Sequence, residues 1–242
     1  MASSSETGHN KNVTNLETLI ITCTGFGPDY NPSNPSITIP VLTTQHTAAK
    51  AVVKDVKTTE TPFNNVEGQR QTIFKTLKPT STKVLNALKG ASAPATVIAD
   101  AETINLKIQG KRADNTPTPE TTADEKGKRK NSVSQQSYDM QIDHFEKLIE
   151  VADIEPKYNP NEVPLKIVSL TNYKTELETI NTAVKTTAVP YQNALQKRDI
   201  VLYAPETGVV DTAQTVKNYV KSVFGPSSPQ FKQISKLLFK KI

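Results

Sequence analysis

The chain has 242 residues, a formal net charge of +5 and a single cysteine, Cys23. This length allows one large domain or two smaller ones, and a hydrophobic content of 36% favours narrow helical cores. One cysteine excludes an intramolecular disulfide, and no window approaches the roughly 18 consecutive apolar residues of a transmembrane helix. The first residues also lack the basic and apolar regions of a secretory signal, so we expect a cytoplasmic protein.

A polar tail and a short helix are predicted first. Residues 1–11 hold few apolar side chains and predict a flexible tail. Apolar residues then recur at helical spacing over 12–24, where we expect Cys23 to be a small buried hydrophobe. The β-branched residues of this stretch would also suit a strand. A helix is favoured because a matching stretch later in the chain has a clear helical pattern.

A Tyr-Asn-Pro triplet follows this helix and occurs again at an offset of 128 residues. The residue before a proline avoids helical geometry, so each triplet predicts a structural corner between two helices. Each tyrosine is expected to pack against the start of the helix that follows. A binding loop that uses both tyrosines is the alternative. The residues of the two corners are Tyr30, Asn31, Pro32, Tyr158, Asn159 and Pro160.

Two long helices are predicted after the corners. Apolar side chains spaced by alternating steps of three and four indicate helices over 36–75 and 162–203. The two apolar seams match at most positions, which indicates an internal duplication. Pro62 and Pro190 occupy matched positions, and a proline inside a helix predicts a kink or a break there.

Two shorter helices complete each repeat. One ends at Gly90 in the first repeat and at Gly225 in the second, and the last helix covers 94–109 or 228–240. The last helix of the second repeat is basic and amphipathic. It suits either the surface of an anionic membrane or the cover of the helical core, and packing is favoured.

The repeats differ in two respects. Beyond Arg198 the offset between them grows from 128 to 135 residues, which indicates a seven-residue insertion that lengthens a helix pair. Gln45 opposite Tyr173 is the clearest mismatch in the apolar seam.

The predicted fold is all-α. It consists of two tandem, related antiparallel helical-bundle units that pack with pseudo-twofold symmetry, and its long helices are kinked near Pro62 and Pro190. The predicted divisions are a flexible tail over 1–11, a first repeat unit over 12–109, a polar linker over 110–133 and a second repeat unit over 134–242.

Sequence motifs of catalytic and metal sites do not occur in the chain. Its three histidines have no paired ligand spacing within a predicted helix. Phosphate-binding glycine loops and nucleophile-elbow motifs are also missing from the sequence. We therefore expect no enzyme activity, no cofactor, no metal and no small-molecule substrate.

Arg70 and Arg198 occupy matched seam positions, where a charge is costly unless it is paired. The structural interpretation is a packed stem whose guanidinium binds a carboxylate such as Glu67 or Asp199. The alternative is a pseudo-symmetric pair that binds one anion between the units. Basic residues of the linker and of the last helix are further candidates for contact with an anion or a partner. They are Lys111, Arg112, Lys128, Arg129, Lys130, Lys236, Lys240 and Lys241.

The stretches SSSETGHNKNV and NPNEVPLKIVSLTNYKTEL, together with the twin Tyr-Asn-Pro corners, resemble a family of uncharacterised bacterial proteins of about this length. That family has no assigned activity. The resemblance implies that both halves share one architecture, and it implies no site residues.

The expected function is that of a non-enzymatic structural or protein-interaction module. Its long helical faces would bind a protein partner or further copies of the chain. The alternative is a basic nucleic-acid-associated protein that contacts phosphates through lysines of the linker and the last helix.

Overall fold

The computed structural model describes residues 7–111 and 136–242, and every regular element in these residues is helical. The predicted all-α class is confirmed. In the described part of the chain, no helix is both long and apolar enough to cross a bilayer. The α-helices are α1 (Thr7–Gly25), α2 (Ile39–Phe74), α3 (Leu77–Gly90), α4 (Ala95–Gln109), α5 (Tyr138–Ile154), α6 (Ile167–Tyr203), α7 (Val209–Phe224) and α8 (Pro229–Ser235).

Two predicted helix boundaries are wrong. α1 begins at Thr7, so residues 7–11 are helical and do not belong to a flexible tail. The early start has a physical reason, since His9 is buried and forms a 2.6 Å hydrogen bond with the Tyr203 hydroxyl. α8 ends at Ser235, well before the predicted residue 240. The predicted linker lies outside the described residues, apart from its first two.

Neither proline breaks its long helix. α2 continues through Pro62 and α6 continues through Pro190, while a kink at either site stays a prediction. The residues that follow the two prolines, Phe63 and Tyr191, stack with 5.4 Å between their ring centroids. Aromatic stacking of this kind stabilises the turns that lose a main-chain hydrogen bond at proline.

The chain divides into two compact units. Unit 1 comprises the residues up to Phe63 together with Thr187–Ile242, and unit 2 comprises Asn64–Thr186. Both boundaries fall inside a long helix. Each unit therefore combines the first helix and corner of one repeat with the last two helices of the other, so the compact units cut across the sequence repeats. The repeats themselves, at 12–109 and 134–242, stay a prediction about the sequence.

Each unit has a core of its own. In unit 1, α1, the corner, the start of α2, α7 and α8 bury mainly leucine, isoleucine and valine. Cys23 is fully buried in this core, and burial raises the pKa of its thiol to about 12, as expected of an unreactive cysteine. In unit 2, α3, α4 and α5 pack together around Phe145 and Leu148.

The two corners use their tyrosines in the same way. The Tyr30 hydroxyl donates a 2.6 Å hydrogen bond to the carbonyl oxygen of Ile37, and the Tyr158 hydroxyl donates one of 2.8 Å to that of Leu165. Each accepting residue ends a 3₁₀ turn that leads into the long helix. Both tyrosines are only 7% exposed. Burial raises the pKa of both phenols, so both hydroxyls remain protonated donors.

Candidate functional site

Part of the predicted seven-residue insertion lies in a loop of unit 1. Residues 204–208 connect α6 to α7, whereas only two residues connect α2 to α3. The helix pair itself is also longer, since α6 has 37 residues against 36 in α2 and α7 has 16 against 14 in α3. Glu206 has a φ of 65°, a left-handed conformation that is uncommon outside glycine. A Cβ atom on Gly208 would lie 2.7 Å from the main-chain N and O of Ala204, so this turn of the loop requires glycine.

Gln45 of α2 binds this loop with its side-chain amide. Its Nε2 donates to the carbonyl oxygen of Thr207 at 2.8 Å and to Oγ1 of Thr212 at 3.1 Å. A carbonyl oxygen can only accept, so the amide nitrogen must face the loop and Oε1 must point away from it. Oε1 is buried, and among the described residues it accepts no hydrogen bond.

Tyr173, which the predicted duplication aligns with Gln45, lies in unit 2. Its hydroxyl donates to the carbonyl oxygen of Ile73 at 2.8 Å and lies 2.8 Å from Oγ1 of Thr76. The longer phenol reaches the short connection of the first repeat, while the shorter amide of Gln45 reaches the long loop of the second. The two residues of the seam mismatch therefore contact the two connections that differ in length.

A cavity of about 410 Å³ lies between α2 and the loop. Val41 and Ala48 form part of an apolar wall, and the Val41 side chain is 45% exposed. Gln45, Glu206 and Thr207 also line the cavity. Its volume falls within the range of about 300–1,000 Å³ that ligand sites occupy in proteins.

The second feature of unit 1 is the segment 236–242, which runs without helical structure along α1. The Asn12 side chain binds the main chain of Lys240 twice, because its Nδ2 donates to the carbonyl oxygen at 2.8 Å and its Oδ1 accepts from the N–H at 3.1 Å. Nδ2 of Asn15 donates to the carbonyl oxygen of Leu238 at 2.7 Å. These side chains satisfy main-chain groups that a helix would otherwise pair, which explains why the predicted helix ends early.

Alternate side chains of this segment face the core. Leu237 and Phe239 pack against the core of unit 1, whereas Leu238 is exposed. Nζ of Lys217 on α7 donates to the carbonyl oxygen of Leu237 and lies 5.4 Å from the Phe239 ring. Burial lowers the pKa of Lys217. This alternation is the period of an extended chain. The segment contacts Asn12 and Asn15 of α1 on one side and Lys217 of α7 on the other, and we call the surface between these two helices the groove.

Asp211 of α7 connects the loop with the segment. Its Oδ2 accepts a hydrogen bond from the main-chain N–H of Glu206 at 3.2 Å and one from Nζ of Lys241 at 3.0 Å. The hydrogen bond from Lys241, followed by that from Glu206, holds the pKa of Asp211 below its usual value. Both features that distinguish unit 1 thus share one anchoring carboxylate.

Both arginines singled out by the sequence contact the carboxylates named with them. The Arg70 guanidinium lies 3.8 Å from the Glu67 carboxylate in unit 2. Arg198 in unit 1 is 6% exposed, and its Nε and NH2 both donate to Oδ1 of Asp199, at 2.9 and 2.7 Å. These contacts agree with the structural interpretation, while an anion or partner contact of either arginine stays a prediction.

The other predicted basic contacts fall into two groups. Lys111 follows α4 and is exposed. In unit 1, Lys236 is the C-cap residue of α8, Lys240 is held through its main chain, and the ammonium of Lys241 is paired with Asp211. Contact of these lysines with a nucleic acid therefore stays a prediction, and one of them, Lys241, already pairs with a carboxylate of the chain. The basic residues that lie outside the described ranges are Arg112, Lys128, Arg129 and Lys130.

Asn12, Asn15 and Asp211 were not predicted as site residues. Asparagine is a poor helix former, so two asparagines three positions apart on one face of a predicted helix are a usable signal for side chains that bind a main chain. For Asp211 the sequence offers no comparable signal, because its partners lie on two separate segments.

Within the two described ranges, no group of histidine, cysteine, aspartate or glutamate side chains is arranged to hold a metal ion. Comparisons of the chain with protein-family models, with curated proteins and with solved structures found no match. The function is therefore inferred from the groove and the cavity of unit 1.

Proposed function

We propose that the protein is a non-enzymatic protein-interaction module and that α1 and α7 of unit 1 form its polypeptide-binding groove. The observation that supports this function is the pair of hydrogen bonds between the Asn12 side chain and the main chain of Lys240. An amide side chain that binds both the N–H and the C=O of one residue recognises an extended main chain whatever its side chain. Specificity then comes from pockets for alternate side chains, as in other modes of extended-peptide recognition.

The segment 236–242 indicates which sequences the groove accepts. Leu237 and Phe239 face the core, and Lys241 is paired with Asp211. Three alternate positions of an extended chain thus take two apolar residues and then a cation. A partner would present the pattern apolar-x-apolar-x-Lys in extended form, and a second copy of the chain carries that pattern itself. Self-assembly follows when the segment of one copy occupies the groove of another.

The groove is tested with a labelled peptide of the sequence SKLLFKKI, which corresponds to residues 235–242. In the full chain the covalently attached segment competes at an effective concentration in the millimolar range. We therefore expect weak binding to the wild type. The double substitution Leu237→Ala and Phe239→Ala weakens the attached segment and leaves α1 and α7 unchanged. This variant should bind the free peptide at least about tenfold more tightly in fluorescence anisotropy.

Two controls identify the contact. Adding Asn12→Ala to the double variant should abolish binding, because the main-chain contacts of the peptide are lost. A peptide with serine in place of its first leucine and of its phenylalanine should not bind. A double variant that keeps its helical circular dichroism and binds neither peptide would refute the groove. Light scattering over a range of concentrations tests self-assembly, which a strictly monomeric wild type would contradict.

The duplication is also part of the proposal. We infer that the two repeats descend from one sequence, that a pseudo-twofold axis relates them and that the long helices are kinked near Pro62 and Pro190. The matching order of elements and the same tyrosine-to-carbonyl hydrogen bond in both corners support this history. An experimental structure tests it, and straight helices or repeats that fail to superpose would contradict it.

A further inference from the structure

One ammonium group of the groove contacts two different features of the segment 236–242. Nζ of Lys217 on α7 donates a hydrogen bond to the carbonyl oxygen of Leu237 and lies 5.4 Å from the centroid of the Phe239 ring. The first contact is made with a main-chain group that every residue carries. The second contact depends on the side chain, because an aromatic ring presents a face of negative potential to a cation and an aliphatic group does not. Lys217 can therefore distinguish between side chains at position 239.

The surroundings of Lys217 strengthen its contact with the ring. The side chain is half-buried, and burial lowers the pKa of the ammonium. A cation that has lost part of its hydration is attracted to a ring face more strongly than an exposed one. Burial is the one cause of this pKa shift, so no carboxylate of the described residues competes with the ring for the ammonium. No second aromatic ring in the described ranges contacts Phe239 either.

The other repeat lacks both partners of this contact. At the offset of 135 residues, the predicted duplication aligns Lys217 with Thr82 and Phe239 with Ile104. Ile104 lies within α4, so the chain is helical there and is not extended. The ammonium and the ring thus occur together in the copy whose last residues lie extended in a groove.

We propose that Lys217 makes the groove selective for an aromatic residue at the position of Phe239. The partner is then an extended peptide of the pattern apolar-x-aromatic-x-Lys. A peptide shifted by one residue would turn its ring to the opposite side of the extended chain and lose the contact with the ammonium. The inference rests on the proposed function, because it names the class of peptide that the proposed groove accepts.

The test compares two peptides on the full chain that carries Leu237→Ala and Phe239→Ala, whose groove is open to a free peptide. One peptide is SKLLFKKI, and the other has cyclohexylalanine in place of its phenylalanine. The saturated ring has nearly the same shape and is more apolar, so burial alone favours it, whereas the contact with Lys217 favours the aromatic ring. We expect the phenylalanine peptide to bind about three- to tenfold more tightly in fluorescence anisotropy.

Three further substitutions assign this preference to Lys217. Lys217→Met keeps the length of the side chain and removes the ammonium, so the preference for the aromatic ring should disappear. Lys217→Arg keeps a cation that stacks on aromatic rings and should retain the preference. The matched control is Lys221→Met, because Lys221 lies one turn along α7 and its ammonium is 5.9 Å from the ring of Phe231, outside the segment. This control should leave the preference unchanged.

The attached segment provides a second measurement that needs no free peptide. Phe239→Leu and Lys217→Met are made singly and together in the otherwise wild-type chain, and hydrogen exchange measures the protection of the Lys240 amide, which donates to Asn12. If Lys217 holds the ring, Phe239→Leu should lower the protection at least about threefold more when Lys217 is present than when it is methionine. Effects of the two substitutions that simply add would overturn the inference.

Failure of this inference is distinguishable from failure of the proposed function. If the folded variant with the open groove binds neither peptide, the groove itself is refuted and the selectivity with it. If both peptides bind equally well, or if the preference persists in Lys217→Met, the selectivity alone is refuted and the groove remains.

Discussion

Lys241 and Asp211 form an ion pair with 3.0 Å between nitrogen and oxygen, and this pair holds the segment 236–242 against α7. The same carboxylate accepts a hydrogen bond from the main chain of Glu206. Both contacts favour the charged carboxylate, so the pKa of Asp211 lies below its usual value of 3.8. A depressed pKa in the folded state means that the stabilisation is complete above the unfolded pKa. It is lost as the pH falls through the folded pKa.

Acid should therefore release the segment. We expect the hydrogen-exchange protection of the Lys240 amide to fall by less than about tenfold as the pH drops below 3.8, because exposed ion pairs are weak. Asp211→Asn should lower the protection already at neutral pH and remove the pH dependence. Asp143→Asn, which affects an exposed ion pair in unit 2, is the matched control and should have no effect. Unchanged protection in Asp211→Asn would refute the anchoring role.

Removal of either corner hydroxyl should destabilise the protein. Tyr30→Phe and Tyr158→Phe each leave a main-chain carbonyl oxygen without its tyrosine donor, and we expect a loss of about 1–3 kcal/mol in the free energy of unfolding. Denaturant unfolding followed by circular dichroism measures this loss. Tyr219→Phe removes the hydroxyl that accepts an exposed hydrogen bond from the N–H of Asn31, and this change should cost less than about 1 kcal/mol. Equal, negligible losses in all three variants would mean that the triplets act only through proline.

Two glycine substitutions should have opposite signs. A Cβ on Gly208 would lie 2.7 Å from main-chain atoms of Ala204, which cannot move without moving the loop. Gly208→Ala should therefore destabilise the protein by about 1–3 kcal/mol. Gly68 lies inside α2, where a Cβ atom would meet nothing within 4 Å, and Gly68→Ala should stabilise by about 0.5–1 kcal/mol. Thermal unfolding midpoints measure both changes, and two shifts of the same sign would contradict this steric argument.

The sequence was sufficient to predict the helices because their evidence is local. The apolar period, the glycines at helix ends and the Tyr-Asn-Pro corners each depend on a few neighbouring residues, and the observed helices lie close to the predicted ranges. The segment 236–242 was predicted wrongly because LLFKK suits both a helix and an extended chain. Asn12, which is more than 220 positions away, decides between them by binding the main chain of Lys240.

The composition of the compact units could not be predicted from the repeats. The predicted repeat indicates which residues are equivalent, but it does not say which copy supplies the neighbour of α1. In the structure α1 packs on α7. Part of the candidate site could be predicted, because the sequence shows both the Gln45 mismatch and the insertion. Their contact required the structure, because Gln45 and Thr207 are 162 positions apart.

Arg70 gives the sharpest test of a structural role against a binding role. Its Cζ lies 3.9 Å from the centroid of the Tyr138 ring, and its NH1 donates to Oδ1 of Asn181 at 3.1 Å. Asn181 is buried and in turn donates to Asp139. Arg70→Leu removes the cation and leaves the Asn181 oxygen without the arginine donor. We expect a loss of about 1–3 kcal/mol in the free energy of unfolding, measured by denaturant titration.

The control for Arg70 is Lys185→Ala. This change removes an exposed cation from Asp139, the carboxylate to which Asn181 donates, and should change the stability by less than about 0.5 kcal/mol. A structural role also predicts that phosphate does not raise the unfolding temperature of the wild type more than that of Arg70→Leu. If Arg70→Leu were as stable as the wild type and lost a phosphate-dependent stabilisation, the guanidinium would instead be an anion contact. Stabilisation by a ligand that binds only the native state grows with ligand concentration, so a phosphate series separates the two roles without an assay of activity.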